Sequence, residues 1–164
     1  MTFIESIKDA DELTLTIVSE YDAPQERVWQ LWSDPRQLEL WWGPPGYPAT
    51  FEVFEFEPGG RATYYMTTPE GTKGWGWWRF VEIAPTTRLA VDDGFAEEGG
   101  APAPGEPGRM ITTLEERDGR TRMTMLSRFA SLEQMDEVLA MGQEEGMKEA
   151  LTQIDAVLAG TLTR

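Results

Sequence analysis

An α+β fold is predicted by this sequence: a curved antiparallel sheet of six or seven strands around a long C-terminal helix, with two short helices after the first strand. Three observations predict it. Short stretches with apolar residues at every second position recur between Gly- and Pro-bearing turns, as in antiparallel strands with one buried face. A helical run carrying four of the seven tryptophans follows the first such stretch and stops at Gly43-Pro44. A capped, amphipathic segment over 131–158 closes the chain. At 164 residues the chain fits one domain, assigned to 12–160, with an N-terminal extension over 1–11 and a tail over 161–164.

The elements follow in order. Leu13, Leu15 and Ile17 alternate with Thr14, Thr16 and Val18, which predicts the first strand. Asp22-Ala23-Pro24-Gln25 then opens a helix, with Asp22 as cap, Pro24 in the first turn and Gln25 at the capping-box position. Val28, Leu31 and Trp32 share a face of it, and Ser33-Asp34-Pro35 breaks it and starts a second helix through Trp41. Over 50–57 the alternation changes phase between Val53 and Phe54, predicting a bulge. Gly59-Gly60 leads into a strand over 61–67, Pro69-Glu70-Gly71 into one over 74–83, and Pro85-Thr86-Thr87 into one over 88–93.

Residues 94–108 hold five glycines and three prolines and predict a long, weakly bonded loop at the rim of any cavity. Asp118-Gly119 predicts a two-residue hairpin between strands over 109–116 and 121–129. Ser131 and Gln134 then form a capping-box pattern ahead of an inward stripe of Met135, Val138, Leu139, Met147, Leu151, Ile154 and Leu158. Gly142 and Gly146 interrupt this stripe. Each costs about 1 kcal/mol of helical propensity against Ala, which predicts a kink or a close approach to the sheet.

Composition excludes several kinds of chemistry. With no Cys and no His, the chain has no disulfide, thiol nucleophile, His-ligated metal or His-dependent triad. Its 29 acidic residues against 14 basic ones give a formal net charge of −15, which repels phosphate backbones and anionic membranes. No apolar run reaches the length of about 18 residues that spans a bilayer, and residues 1–11 lack a signal-peptide layout. The expectation is a cytoplasmic protein with no nucleic-acid or membrane partner and no metal or cofactor.

Several motifs together resemble the SRPBCC superfamily, specifically the branch named after the activator of Hsp90 ATPase. They are Pro24…Val28-Trp29…Trp32…Asp34-Pro35…Leu38…Trp41-Trp42-Gly43-Pro44, then Pro58-Gly59-Gly60-Arg61, Pro69-Glu70-Gly71, Ile83-Ala84-Pro85…Arg88-Leu89, and Gly146 ahead of Leu151. The resemblance covers nearly the whole chain and implies a helix-grip fold with a cavity between sheet and helix. One departure stands out: where the branch usually follows the helix glycine with Trp, this chain has Met147, a softer wall that leaves more space.

The candidate ligand-binding residues are Trp75, Trp77, Met123, Met125, Met147, Leu151, Trp41, Trp42 and Tyr64. On a strand, Trp75 and Trp77 face one side and Trp78 the other, and an aromatic wall of this kind suits an apolar or planar ligand. Met123 and Met125 are expected to point toward the helix carrying Met147 and to adapt to ligand shape. A core position is the simpler reading for the strand tryptophans, and composition does not separate core from pocket for the methionines. Tyr64, Arg79, Asp92 and Arg122 lie on strands but show no spacing that calls for acid–base chemistry, and surface ion pairs are the simpler reading. Asp92-Asp93 with Glu97-Glu98 lacks the spacing of a Ca²⁺ loop.

The expected function is the binding of a small, largely apolar molecule in an internal cavity, without a catalytic residue. One alternative is a protein-interaction module of the Hsp90 co-chaperone type, and another is a cyclase- or hydrolase-like enzyme. A homodimer or a protein partner is left open.

Overall fold

Eight antiparallel strands form one sheet in the order β1-β2-β8-β7-β6-β5-β4-β3 in a computed structural model that describes residues 3–162. The strands are β1 (Phe3–Asp9), β2 (Thr14–Tyr21), β3 (Ala49–Phe54), β4 (Arg61–Thr67), β5 (Lys73–Ala84), β6 (Arg88–Ala96), β7 (Gly108–Arg117) and β8 (Arg120–Arg128). The helices are α1 (Gln25–Ser33), α2 (Pro35–Trp41), α3 (Leu132–Ala140) and α4 (Gln143–Leu158). This is the expected α+β helix-grip arrangement, with eight strands in place of six or seven.

The additional strand is β1, formed within the segment assigned as an extension. Its register runs from Phe3 opposite Glu20 to Asp9 opposite Thr14. Phe-Ile-Glu-Ser-Ile-Lys-Asp has no clean alternation because this edge strand meets α4 through polar groups. Ser6 donates to Glu144 at 2.6 Å and Lys8 pairs with it at 3.2 Å, while Ile4 on the same face of β1 packs against the core. Residues 1–2 and 163–164, at the ends of the assigned extension and tail, lie outside the described residues.

One face of the sheet carries the core. Register places Ile17, Met125, Thr112, Leu89, Phe80, Trp78, Ala62 and Phe51 on the inner side, where nearly all are fully buried. α4 lies against this face through Ala150, Leu151, Ile154 and Val157. The tryptophans of α1 and α2 fill the end of the same layer, with Trp32 and Trp41 ring centroids 4.9 Å apart and Trp42 and Trp78 5.0 Å apart. Both pairs meet edge-on or nearly so, the favoured geometry for aromatic quadrupoles.

Local details differ from the sequence expectation for physical reasons. The first helix is capped from a distance: the Gln25 N–H donates to Glu116 of β7 at 2.6 Å, and Asp22 instead lies 3.8 Å from Arg120. The break at Ser33-Asp34-Pro35 starts α2 as expected, with Asp34 as its cap, accepting from the Arg36 N–H at 3.0 Å. The bulge in β3 lies between Phe51 and Val53, where the buried Glu39 carboxylate accepts the Phe51 N–H at 2.6 Å. Ser131 caps α3 as expected, but Gln134 reaches past it to the Ala130 N–H.

The single long helix is two helices. Gly142 adopts φ +86, a left-handed conformation that suits glycine, and the chain turns there between α3 and α4. The expected loop begins later, because β6 continues to Ala96, and it is better bonded than its composition predicts. Ala103 donates to Phe95, Glu97 to Ala101, and Gln134 of α3 to Glu106. These bonds give 97–107 a folded-back form that glycine and proline content alone does not reveal.

Candidate functional site

A cleft of about 1450 Å³ opens between the inner face of the sheet and the helical layer. The sheet supplies its floor through Tyr64 and Met66 of β4, Asp93 and Phe95 of β6, and Met110 of β7. Val138, Met141, Met147 and Ala150 from α3 and α4 form one wall. Trp42 and Pro44, at the stop after α2, form another. A Cβ added at Gly146 would lie 4.0 Å from Pro44 Cγ and meet no other side chain that close, so the turn of α4 ahead of Met147 leaves space unfilled.

Two residues explain how Tyr64 reaches this floor. Gly76 stands directly opposite Tyr64 in β5, and a Cβ there would lie 2.5 Å from the tyrosine ring and hydroxyl. The ring therefore lies over the bare glycine backbone. Phe51 stacks on its other side, with centroids 4.9 Å apart.

The inner end of the cleft is polar. The Tyr64 hydroxyl is pushed well above the usual phenol range, first by burial and then by the negative charge of Asp93. The indole N–H groups of Trp42 and Trp78 approach it closely enough to offset part of that shift. Neither makes a hydrogen bond of normal geometry, and both are buried without an acceptor among the described residues. Asp93 keeps some access to the cleft while protein makes up most of its surroundings. Burial, and then the adjacent Asp92 carboxylate, push it up to about 6. Gly108 leaves room for it, since a Cβ there would lie 3.1 Å from Asp93 Oδ1.

Of the nine sequence-predicted residues, the structure brings five to the cleft: Trp42, Tyr64, Trp75, Trp77 and Met147. Trp75 and Trp77 lie on the face of β5 opposite Trp78 and border the outer part of the cleft, beside Lys73 and the 97–107 loop. Trp75 packs on Tyr65 at 4.9 Å, and Gly94 lies so close to Trp77 that a Cβ would come within 2.7 Å of its Nε1. Trp78 is the tryptophan of this strand that faces the helices.

The other four are core residues and do not line the cleft. The Trp32 Nε1–H points at Met123 Sδ at 3.2 Å, and Met125 is 2% exposed. Trp41 donates to the Leu31 carbonyl at 3.0 Å. Leu151 is fully buried, and its carbonyl accepts from Tyr21 at 3.4 Å. These side chains satisfy the sheet–helix interface deeper than the cleft, so the inward stripe of α4 divides between Leu151 in the core and Met147 at the opening.

Sequence reasoning missed Asp93 as a cleft residue. Its signal was available: in a strand, neighbouring acids point to opposite faces, so one of Asp92 and Asp93 had to turn inward. Asp92 takes the outer face, 2.8 Å from Arg109 and 3.8 Å from Arg79, while Arg122 pairs with Glu20 at 3.0 Å. Those are the surface rungs the sequence predicted. Among the described residues, no group of three acidic side chains is placed to hold a metal ion, and no helix is long and apolar enough to cross a membrane.

Comparison with known proteins agrees with this geometry. Residues 22–159 match the family model described as activator of Hsp90 ATPase homolog 1-like protein. A solution structure of a protein from Arthrobacter aurescens is 53% identical, with a TM-score of 0.91 over 95% of this chain and 91% of that one. The crystal structure of protein Ms6760 from Mycobacterium smegmatis is 43% identical, with a TM-score of 0.88 over 94% and 96%. An AHSA1 protein from Silicibacter pomeroyi, at 20% identity and a TM-score of 0.72 over 89% and 97%, shares the fold. No protein of curated function matches the chain. The sheet gripping α4, the tryptophan-rich helical pair and a family match over most of the length all converge: this chain belongs to the activator of Hsp90 ATPase homolog 1-like family of the SRPBCC superfamily.

Proposed function

We propose that the chain binds a small, largely apolar molecule in the cleft beside Met147, with binding rather than turnover as its role. The observation that carries this reading is the space of about 1450 Å³ between α4 and the sheet, walled by Met66, Met110, Met141, Met147 and Trp42. Thioether side chains adjust to varied shapes, and an open cleft with apolar walls and a few polar groups is the usual form of a small-molecule site. The family resemblance supports a cavity at this place without indicating its occupant.

Titration with the neutral dye Nile red tests the proposal. Its emission is expected to rise and shift to the blue on adding the full chain. Met147→Trp, which fills the opening without touching the deeper core, is expected to weaken that binding about tenfold or more, the scale of a lost apolar contact area. Equal binding by the variant would move the site away from α4. No binding by the wild type would favour a protein partner over a small molecule.

A further inference from the structure

We propose that the occupant of this cleft is an arylalkylammonium ion, an apolar body carrying one primary ammonium group that donates to the Asp93 carboxylate. This rests on the small-molecule reading above and specifies the ligand's charge. Asp93 lines the cleft from the inner face of β6, with protein around most of it, and its own backbone N–H is the donor that reaches it. Carboxylates are seldom enclosed to this degree unless a cation pairs with them.

The protein's own cations are turned elsewhere. Arg109 is held by Asp92 at 2.8 Å on the outer face of the sheet, and Arg128, its cross-strand partner, shares that face. Lys73 lies over the Tyr65 ring, 4.3 Å from its centroid. Among the described residues, no Lys or Arg forms an ion pair with Asp93, since Arg79 is also drawn to Asp92.

Two further oxygens approach the carboxylate. A Cβ added at Gly108 would lie 3.1 Å from Asp93 Oδ1, 3.3 Å from the Arg128 carbonyl oxygen and 3.9 Å from Gln134 Oε1. Acceptors from β6, β8 and α3 therefore converge beside the bare glycine, at the cleft wall. Gln134 is not free to offer a donor instead, because its Nε2 donates to the Glu106 carbonyl at 2.6 Å and its Oε1 accepts from the Ala130 N–H at 2.7 Å. An ammonium carries three donors and no acceptor, which suits such a set. A calcium ion takes about six to eight oxygens, more than this wall supplies.

The opening favours the same ligand. Glu98, Glu106, Glu133 and Glu137 also line the cleft, and on a chain of net charge −15 they draw in cations and repel carboxylates. Phe95 lies two residues beyond Asp93 on the same face of β6 and is 58% exposed, while Met141 across the cleft is 68% exposed. Two residues of strand span about 7 Å, which places the ammonium about one or two carbons from an aromatic ring.

Three matched probes test this at pH 7.5 by NMR shift titration of the full chain: 2-naphthylmethylamine, 2-naphthylmethanol and 2-naphthoate. The amine is expected to bind about tenfold more tightly than the alcohol, the scale of one hydrogen bond to a charged group, and the naphthoate most weakly. Followed by carbon-13 NMR, the Asp93 carboxyl is expected to titrate below its ligand-free value of about 6 once the amine is bound. Asp93→Asn, which keeps the shape and removes the charge, is expected to bring amine and alcohol to equal affinity.

Equal binding of amine and alcohol by the wild type, tighter binding of the naphthoate, an Asp93 titration unmoved by the amine, or an amine preference that survives in Asp93→Asn would overturn the ammonium assignment and leave the small-molecule reading standing. Failure of all three probes while Nile red still binds would do the same. Failure of Nile red as well would remove both.

Discussion

Asp93 and Met147 show how much of this site depends on single side chains. Burial and the neighbouring Asp92 push Asp93 up to about 6, well above its ordinary value of 3.8. The folded chain therefore holds that proton more tightly than the unfolded chain, and stability from this group falls as pH rises from about 4 through 6. Removing the charge reverses the loss. Asp93→Asn is expected to raise stability over the wild type at pH 7.5, with the advantage vanishing below about pH 4, as measured by urea unfolding at both pH values. A variant less stable than the wild type at pH 7.5 would show that the carboxylate is held by partners that favour its charge. Glu144 has the opposite sign: its hydrogen bond from Ser6, and then Lys8, lower its pKa, so its contribution is present at neutral pH and lost on acidification.

At the scale of elements, α4 does two jobs on one face. Leu151, Ile154 and Val157 close the core, while Met147, one turn earlier, stops at the cleft. Leu151→Ala is expected to cost about 2–5 kcal/mol in urea unfolding, the range for deleting a fully buried leucine. A loss under about 1 kcal/mol would mean that this stripe faces solvent and not the core. The 3.6-residue period made this stripe legible in the sequence. Where the stripe ends was not legible, because that depends on how far α4 lies from β4 and β6. The start of α1 shows the same limit: Asp22 and Gln25 form a plausible local cap, yet Glu116, distant in sequence, takes the role once β7 is in place.

For the whole molecule the dominant number is the charge of −15. Excess like charge repels itself and opposes the compact state, while also resisting anionic partners. Thermal unfolding is therefore expected to move upward between about 10 mM and 0.5 M NaCl, as the screening length drops well below the size of the domain. A fall in melting temperature would show that the ion pairs, among them Arg109–Asp92 and Lys8–Glu144, outweigh the net repulsion.

By itself the sequence determined the class of fold, most element positions and the Asp118-Gly119 hairpin, since these follow from periodicity and from residues with restricted or unusual backbone freedom. It also pointed to Trp42, Tyr64 and Met147 as cleft residues. Only the tertiary structure decided that β1 joins the sheet, that Met123, Met125, Trp41 and Leu151 are packed away from the cleft, and that Asp93 turns toward Tyr64. The physical reason is the same in each case. Alternation says that a side chain leaves one face of an element, but how deep it sits depends on the partner across the gap. That partner is set by register, by the reach of neighbouring rings and by small residues such as Gly76 and Gly108, which make room only once the strands are paired.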